Sequence, residues 1–248
     1  MGIETDIAWT DRTWNPHQGC HKKSLGCKYC YMFRDKKRYG QDANTVVRSK
    51  PHTFNAPLSK KWASPARVFV CSWSDFFIEE ADAWRSEEWA IIRSATHLTF
   101  QICTKRPERI ADHLPPDWGG GWPHVWLGVT AEDQESANER LPILLSTPAA
   151  VRFVSVEPML GPVDLVEPIR RQMRRWPQFV DQVIIGAESG QPRRTLDIEH
   201  ACILAHQVHA VGAAVFLKQI HVGSRLVTDP SDPDWPSWGK REFPRTRP

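Results

Sequence analysis

From residue 67 onward the chain repeats one pattern. A short continuous apolar run is followed by a longer stretch whose apolar residues recur at helical spacing. The runs are Arg67–Ser72 (RVFVCS), Leu98–Cys103, Val125–Thr130 (VWLGVT), Val151–Val156 (VRFVSV), Gln182–Ala187 (QVIIGA) and Ala214–Lys218 (AVFLK). They are rich in β-branched and aromatic residues and lack polar alternation, as strands buried on both faces do. The intervening stretches predict helices over Ser86–Thr96, from Lys105-Arg106-Pro107 to His113, over Glu132–Leu145, within Val163–Arg175 and over Asp197–Val211. Asp197 is placed to cap the last of these and Gly212 to stop it. Pro115–Gly121 reads as a turn-rich loop.

Strands of this kind alternating with helices predict a parallel sheet in an α/β fold. A first strand over Thr13–Gly19 (TWNPHQG), with its proline at an edge position, brings the number to about seven, just short of the eight of a full barrel. The expectation is a partial (β/α)6-7 TIM-like barrel over residues 1–220. Residues 221–248 include Thr228–Pro248, a tail rich in Pro, Asp and Trp that carries no periodicity. They are expected to form an extended C-terminal strap, with Trp235, Trp238 and Phe243 against the barrel.

With 248 residues, 41% of them hydrophobic, the chain can bury a sizeable core. A formal charge of +3 does not by itself demand nucleic acid. No apolar run approaches a membrane span. The opening MGIETDIAWTD is acidic and polar and lacks the basic start and apolar core of a signal peptide. The expected location is the cytoplasm, with no membrane partner. There, six cysteines read as metal ligands or buried thiols sooner than as disulfides.

Three of the six lie in one stretch, GCHKKSLGCKYCY, as Cys20, Cys27 and Cys30. A CxxC step brings two thiolates round one metal centre, and Gly19 and Gly26 let the backbone curl. A closed zinc site or closed cluster takes four protein ligands. Three leave one metal corner free, so the loop reads as the nest of a [4Fe–4S] cluster whose fourth iron takes a small-molecule ligand. A Cys3His zinc site using His17 or His21, and unliganded thiols, stay open as alternatives. Met32–Tyr39 predicts a helix carrying Arg34, Lys36, Lys37 and Arg38, either a solvated face or a basic rim at a pocket mouth.

The strand ends carry polar residues throughout. Ser72, Ser74 and Asp75 follow the first run, and Thr104, Lys105 and Arg106 the second. Thr130 and Glu132, Ser155 and Glu157, Gly186 and Glu188, and Lys218 with Gln219 follow the others. In a parallel barrel all strand C-termini share one face, so these residues are expected to line a common pocket for a polar cofactor. Singly, each also has a structural reading. Asp75 and Glu132 suit helix N-termini, and Glu157 can pair with Arg152 or Lys218. Cys71, Cys103 and Cys202 read as buried small hydrophobes.

A three-cysteine loop after the first strand of a partial barrel resembles the radical S-adenosylmethionine superfamily. More closely, the chain is similar to an uncharacterised phage and bacterial three-cysteine family described as radical-SAM-like. The matching pieces are IAWTDRTWNPHQGC with GCKYCY, then SWSDFF, TKRPERI, SVEPMLGP, IIGAESG, FLKQ and REFP, from Ile7 to Pro244. The six residues between Cys20 and Cys27 depart from the superfamily's usual three, whereas Tyr29 before Cys30 fits its pattern.

The resemblance implies an enzyme in which Cys20, Cys27 and Cys30 hold a [4Fe–4S] cluster. The open iron would chelate the methionine end of S-adenosylmethionine, whose reductive cleavage gives a 5′-deoxyadenosyl radical. Ser72, Ser74 and Asp75 would meet the methionine amine, and Thr130 and Glu132 the ribose. Ser155, Glu157 and Glu188 would line that side, with Gly186 allowing close approach. Lys105, Arg106 and Lys218 would bind the methionine carboxylate or an anionic substrate. The partners implied are an external electron donor and a substrate of unread identity, a nucleotide or nucleic acid among the candidates. The competing reading is a zinc-stabilised barrel that binds nucleic acid or protein.

Overall fold

In the computed structural model, which describes residues 5–167, 169 and 180–244, every one of the six apolar runs forms a strand. In chain order the strands are β1 (Arg12–Trp14), β2 (His17–Gln18), β3 (Val47–Arg48), β4 (Ala66–Val70), β5 (Leu98–Thr104), β6 (Val125–Thr130), β7 (Val151–Val156), β8 (Gln182–Gly186), β9 (Ala214–Val222) and β10 (Arg225–Val227). Eight of them form one sheet in the order β1-β4-β5-β6-β7-β8-β9-β10. Neighbours from β1 to β9 are parallel, and β10 closes the edge as an antiparallel hairpin on β9. The sheet curls into a half-barrel in a mixed α/β fold.

The helices are α1 (Tyr31–Arg38), α2 (Pro51–Phe54), α3 (Asp82–Ser94), α4 (Ile110–His113), α5 (Gln134–Ser146) and α6 (Ile198–Ala210). Asp197 caps α6, accepting from the backbone N–H of Glu199 at 2.9 Å and of His200 at 3.3 Å. Gly212, at φ +79, ends it in the left-handed region where glycine carries no steric cost. The helix expected within Val163–Arg175 falls largely outside the described residues.

Three expectations need correction. Thr13–Gly19 is not one strand. Proline 16 has no N–H for the ladder, so β1 stops at Trp14 and His17–Gln18 turn away to pair with β3. The helix expected from Ser86 begins at Asp82, an acidic residue in its first turn. Cys202 is half-exposed on α6, its sulfur 3.5 Å from His206 Nδ1, and is not core.

Two packing layers follow from the strand period of two. Residues such as Val70, Ile102, Val129 and Ile185 point outward under the helices and form the large core. Their neighbours point inward, where Trp9, Trp126, Phe153, Ile184 and Phe216 make a second, smaller cluster. Gly128 is required here, because a Cβ would lie 2.6 Å from the Phe153 ring.

The C-terminal residues complete this inner plug. Leu217 N–H donates to Lys240 O at 2.7 Å and Glu242 N–H to Val215 O at 2.9 Å. Phe243 then packs 5.3 Å from Phe216, with the Arg67 guanidinium 3.8 Å from its ring centroid. Residues 240–243 thus reach from β9 to β4 and close the lower end of the half-barrel. No helix among the described residues is long and apolar enough to cross a membrane.

Candidate functional site

The upper end of the half-barrel, where the parallel strands finish, opens into a cavity of about 710 Å3. Cys20, Cys27 and Cys30 line it together. Their loop is held by backbone contacts. Gly19 N–H donates to Trp73 O at 3.0 Å, Cys20 N–H to Ala43 O at 2.9 Å, and the Ser74 hydroxyl to Gly19 O at 2.6 Å. Gly19 sits at φ +99, with the Thr45 carbonyl oxygen 2.2 Å from where a Cβ would stand, so no other residue fits. Leu25–Cys27 form a 3-10 turn that swings Cys27 inward, and Cys30 immediately precedes α1.

Asp75 organises one wall. Its carboxylate accepts from Phe77 N–H at 3.0 Å, the Thr104 hydroxyl at 2.6 Å, Lys105 N–H at 2.8 Å and Arg106 Nη1 at 3.2 Å. Arg106 continues from Asp75 to the cysteine loop, with Nη1 3.9 Å from Cys20 Sγ and Nη2 donating to His21 O at 3.0 Å. One guanidinium therefore ties the β4 end, the β5 end and the first cysteine together.

Glu132 organises the other wall from behind. It is fully buried and pairs with Lys105 Nζ at 2.7 Å and Arg140 Nη1 at 2.8 Å, and it accepts the Ser24 hydroxyl at 2.7 Å. Burial alone would push its carboxyl up, but the two cations bring it down to about 2. Lys105 also donates to Thr130 Oγ1 at 2.9 Å. Glu132 thus fixes the cysteine loop to the β5 and β6 ends.

Among the other candidate residues, Tyr29, Ser72, Ser74, Thr130, Ser155, Glu157, Glu188 and Lys218 line the cavity, as do Asp75 and Lys105. Glu132 and Gly186 do not; both stand behind the wall. Lys218 Nζ pairs with Glu157 Oε1, the alternative to Arg152 that the sequence left open. Glu188 Oε2 accepts from Arg194 N–H at 2.8 Å and Nε at 3.0 Å, and Arg194 Nη1 reaches Leu25 O at 3.0 Å. Arg194 clasps the cysteine loop from the β8 side, and sequence reasoning missed it, as it missed Ser24. Nothing in the local sequence marks either residue. Cys71 and Cys103, expected as buried small hydrophobes, also line the cavity. Cys71 holds φ +61, the backbone strain of a non-glycine residue in the left-handed region, where the chain leaves β4.

Cys20 and Cys30 are not activated nucleophiles. Burial, helped by the Asp75 charge, pushes Cys20 up to about 12 despite Arg106 beside it. Burial also pushes Cys30 up, opposed by the backbone N–H groups of Met32 and Phe33. A catalytic thiol needs the opposite shift. Nor do the histidines complete a zinc site. His17 Nδ1 is bound to Glu88 Oε1 at 2.7 Å and its Nε2 lies 3.2 Å from Asp75 O, while His21 Nε2 pairs with Glu80. Among the described residues no three His, Cys, Asp or Glu side chains come close enough to hold a single metal ion.

A family profile described as "Protein of unknown function (DUF5131)" matches residues 4–227, and the chain belongs to that family. This corrects the resemblance drawn from the cysteine loop. The profile that claims most of the chain is that of an uncharacterised family, and no radical S-adenosylmethionine family matches. Neither the curated proteins nor the solved structures contain a match.

Proposed function

We propose that this DUF5131 member is an iron–sulfur enzyme that binds S-adenosylmethionine and cleaves it reductively. Cys20, Cys27 and Cys30 would hold a [4Fe–4S] cluster and leave its fourth iron toward the cavity. The observation carrying this reading is that three thiols of one loop open into one cavity walled by charges of both signs. The half-barrel is read as TIM-like, with its site at the strand C-termini.

The donor set suits a cluster better than a single ion. A closed zinc site takes a fourth protein ligand, and the two histidines of the loop region already pair with Glu88 and Glu80. A cluster spreads its thiolates over separate irons. Metal binding deprotonates a buried thiol outright. Arg106 at Cys20 and the α1 N-terminus at Cys30 supply positive potential for the thiolates.

When bound, such a cluster supplies one electron to the sulfonium of S-adenosylmethionine, releasing methionine and a 5′-deoxyadenosyl radical. The chain's own residues do the positioning. Glu157 and Lys218 offer an acceptor and a donor to a zwitterionic amino-acid end. Ser72, Ser74 and Ser155 add hydroxyls along the wall. Asp75 and Glu132 are fully engaged with protein groups and act by holding Arg106, Lys105 and the loop in place. Trp9 and Phe69 form an apolar floor that excludes water from below.

Anaerobic reconstitution tests the proposal. The wild type should take up about four irons per chain and form 5′-deoxyadenosine with a reductant, and Cys27→Ala should form none. Equal product from both proteins, or uptake of zinc without iron, rejects it.

A further inference from the structure

We infer that the rim of the cavity binds a single polynucleotide strand, one unpaired base of which enters the cavity. Charge is the first observation. Residues 20–39 carry seven cations (Lys22, Lys23, Lys28, Arg34, Lys36, Lys37 and Arg38) against the single carboxylate of Asp35. That is +6 in a chain whose total is +3, so the remainder is net −3. The positive charge is therefore concentrated on the segment that walls the cavity. Such focusing is the electrostatic footprint of a polyanion site, which the modest overall charge hides.

The second observation is which cations lack a carboxylate partner. Lys23 is paired with Glu108 and Arg34 with Asp35. Lys22 and Lys28 have no carboxylate partner among the described residues. The Lys22 ammonium lies 5.1 Å from the Phe33 ring centroid and that of Lys28 5.2 Å from the Tyr29 ring. Arg194 approaches Tyr29 as well, at 5.3 Å. Phe33 and Tyr29 line the cavity.

The third is direction. Phe33 and Arg34 line the cavity, and Lys37 and Arg38 stand one turn further along the same face of α1. The exposed charges thus run away from the mouth as a track. Aromatic rings at the opening beside a cationic track suit a strand whose bases stack while its phosphates follow the charge. A duplex would have to release its base first, because only an extruded base can enter a cavity of this size. An acidic protein would use the cations but not the rings.

Treating the strand as the substrate rests on the reaction site proposed above; its binding does not. The test uses the full chain and fluorescence anisotropy with labelled single-stranded DNA and RNA of about 20 nucleotides, longer than the ~4–16 usually contacted. Lys22→Glu/Lys28→Glu should weaken binding about tenfold or more and reduce the salt slope by about two. Lys60→Glu/Lys61→Glu, an equal charge change on exposed lysines elsewhere, should alter it by less than about twofold. Phe33→Ala should weaken strand binding and leave heparin binding unchanged. Binding of either DNA or RNA in this pattern supports the inference, and their ratio identifies the polymer. Equal losses in the two lysine variants, heparin or duplex bound as tightly as the strand, or no strand binding at low salt would overturn it. Cys27→Ala separates the two readings, since it should lose 5′-deoxyadenosine formation and keep strand binding.

Discussion

The carboxylate of Glu132 lies directly against the backbone of Gly26: a Cβ on Gly26 would stand 2.4 Å from Glu132 Oε1. Glu132 cannot swing aside, because Lys105, Arg140 and Ser24 hold both of its oxygens. The cysteine loop is therefore seated on a buried ion cluster with no space between them.

Gly26→Ala should displace the loop. Overpacking of this kind costs about 1–3 kcal/mol, and urea unfolding should show it. Iron uptake should fall in the same variant, because Cys27 is the next residue. Unchanged stability together with unchanged iron would mean that the loop is free to shift.

Acid should loosen the same seat. Against burial, Lys105 and Arg140 bring Glu132 down to about 2 from its ordinary 4.5. The unfolded chain thus takes up a proton between these values while the folded chain does not. Stability from this group is complete above about 4.5 and is lost as pH falls toward 2. The shift corresponds to about 3 kcal/mol. Urea unfolding at about pH 6 and pH 3 should show Glu132→Gln, although less stable than the wild type at neutrality, losing less on acidification. Equal acid sensitivity would contradict the placement of this charge.

Asp75→Ala should be among the costliest single changes at the site. It strands the Arg106 guanidinium beside Cys20 and leaves the N–H groups of Phe77 and Lys105 without their acceptor. Removing one partner of a buried ion pair costs about 3–5 kcal/mol. A loss below about 1 kcal/mol in chemical denaturation would show that the cage stands without its carboxylate.

Much of the framework could be read from the sequence because the physics is local. Val125–Thr130 and Val151–Val156 form strands with the bounds that their β-branched runs suggest. The polar strand ends converge because a parallel sheet puts every C-terminus on one side. What could not be read were partners distant along the chain. Glu132, expected at a ribose, is spoken for by Lys105 and Arg140, and no pattern around residue 132 announces that. Arg194 reaches Leu25 across 169 positions, a contact that only the curl of the sheet creates. Pro16 was visible, but that it divides β1 from β2 depended on the backbone's need for a donor.

The plug of Trp9, Phe216 and Phe243 makes the chamber above it a blind alley. The chamber opens at the strand C-termini, so a guest that settles against the plug has to arrive before one that seats across that opening. Order of arrival is then written into the architecture, and a larger guest seated across the threshold would imprison a smaller one until it withdrew.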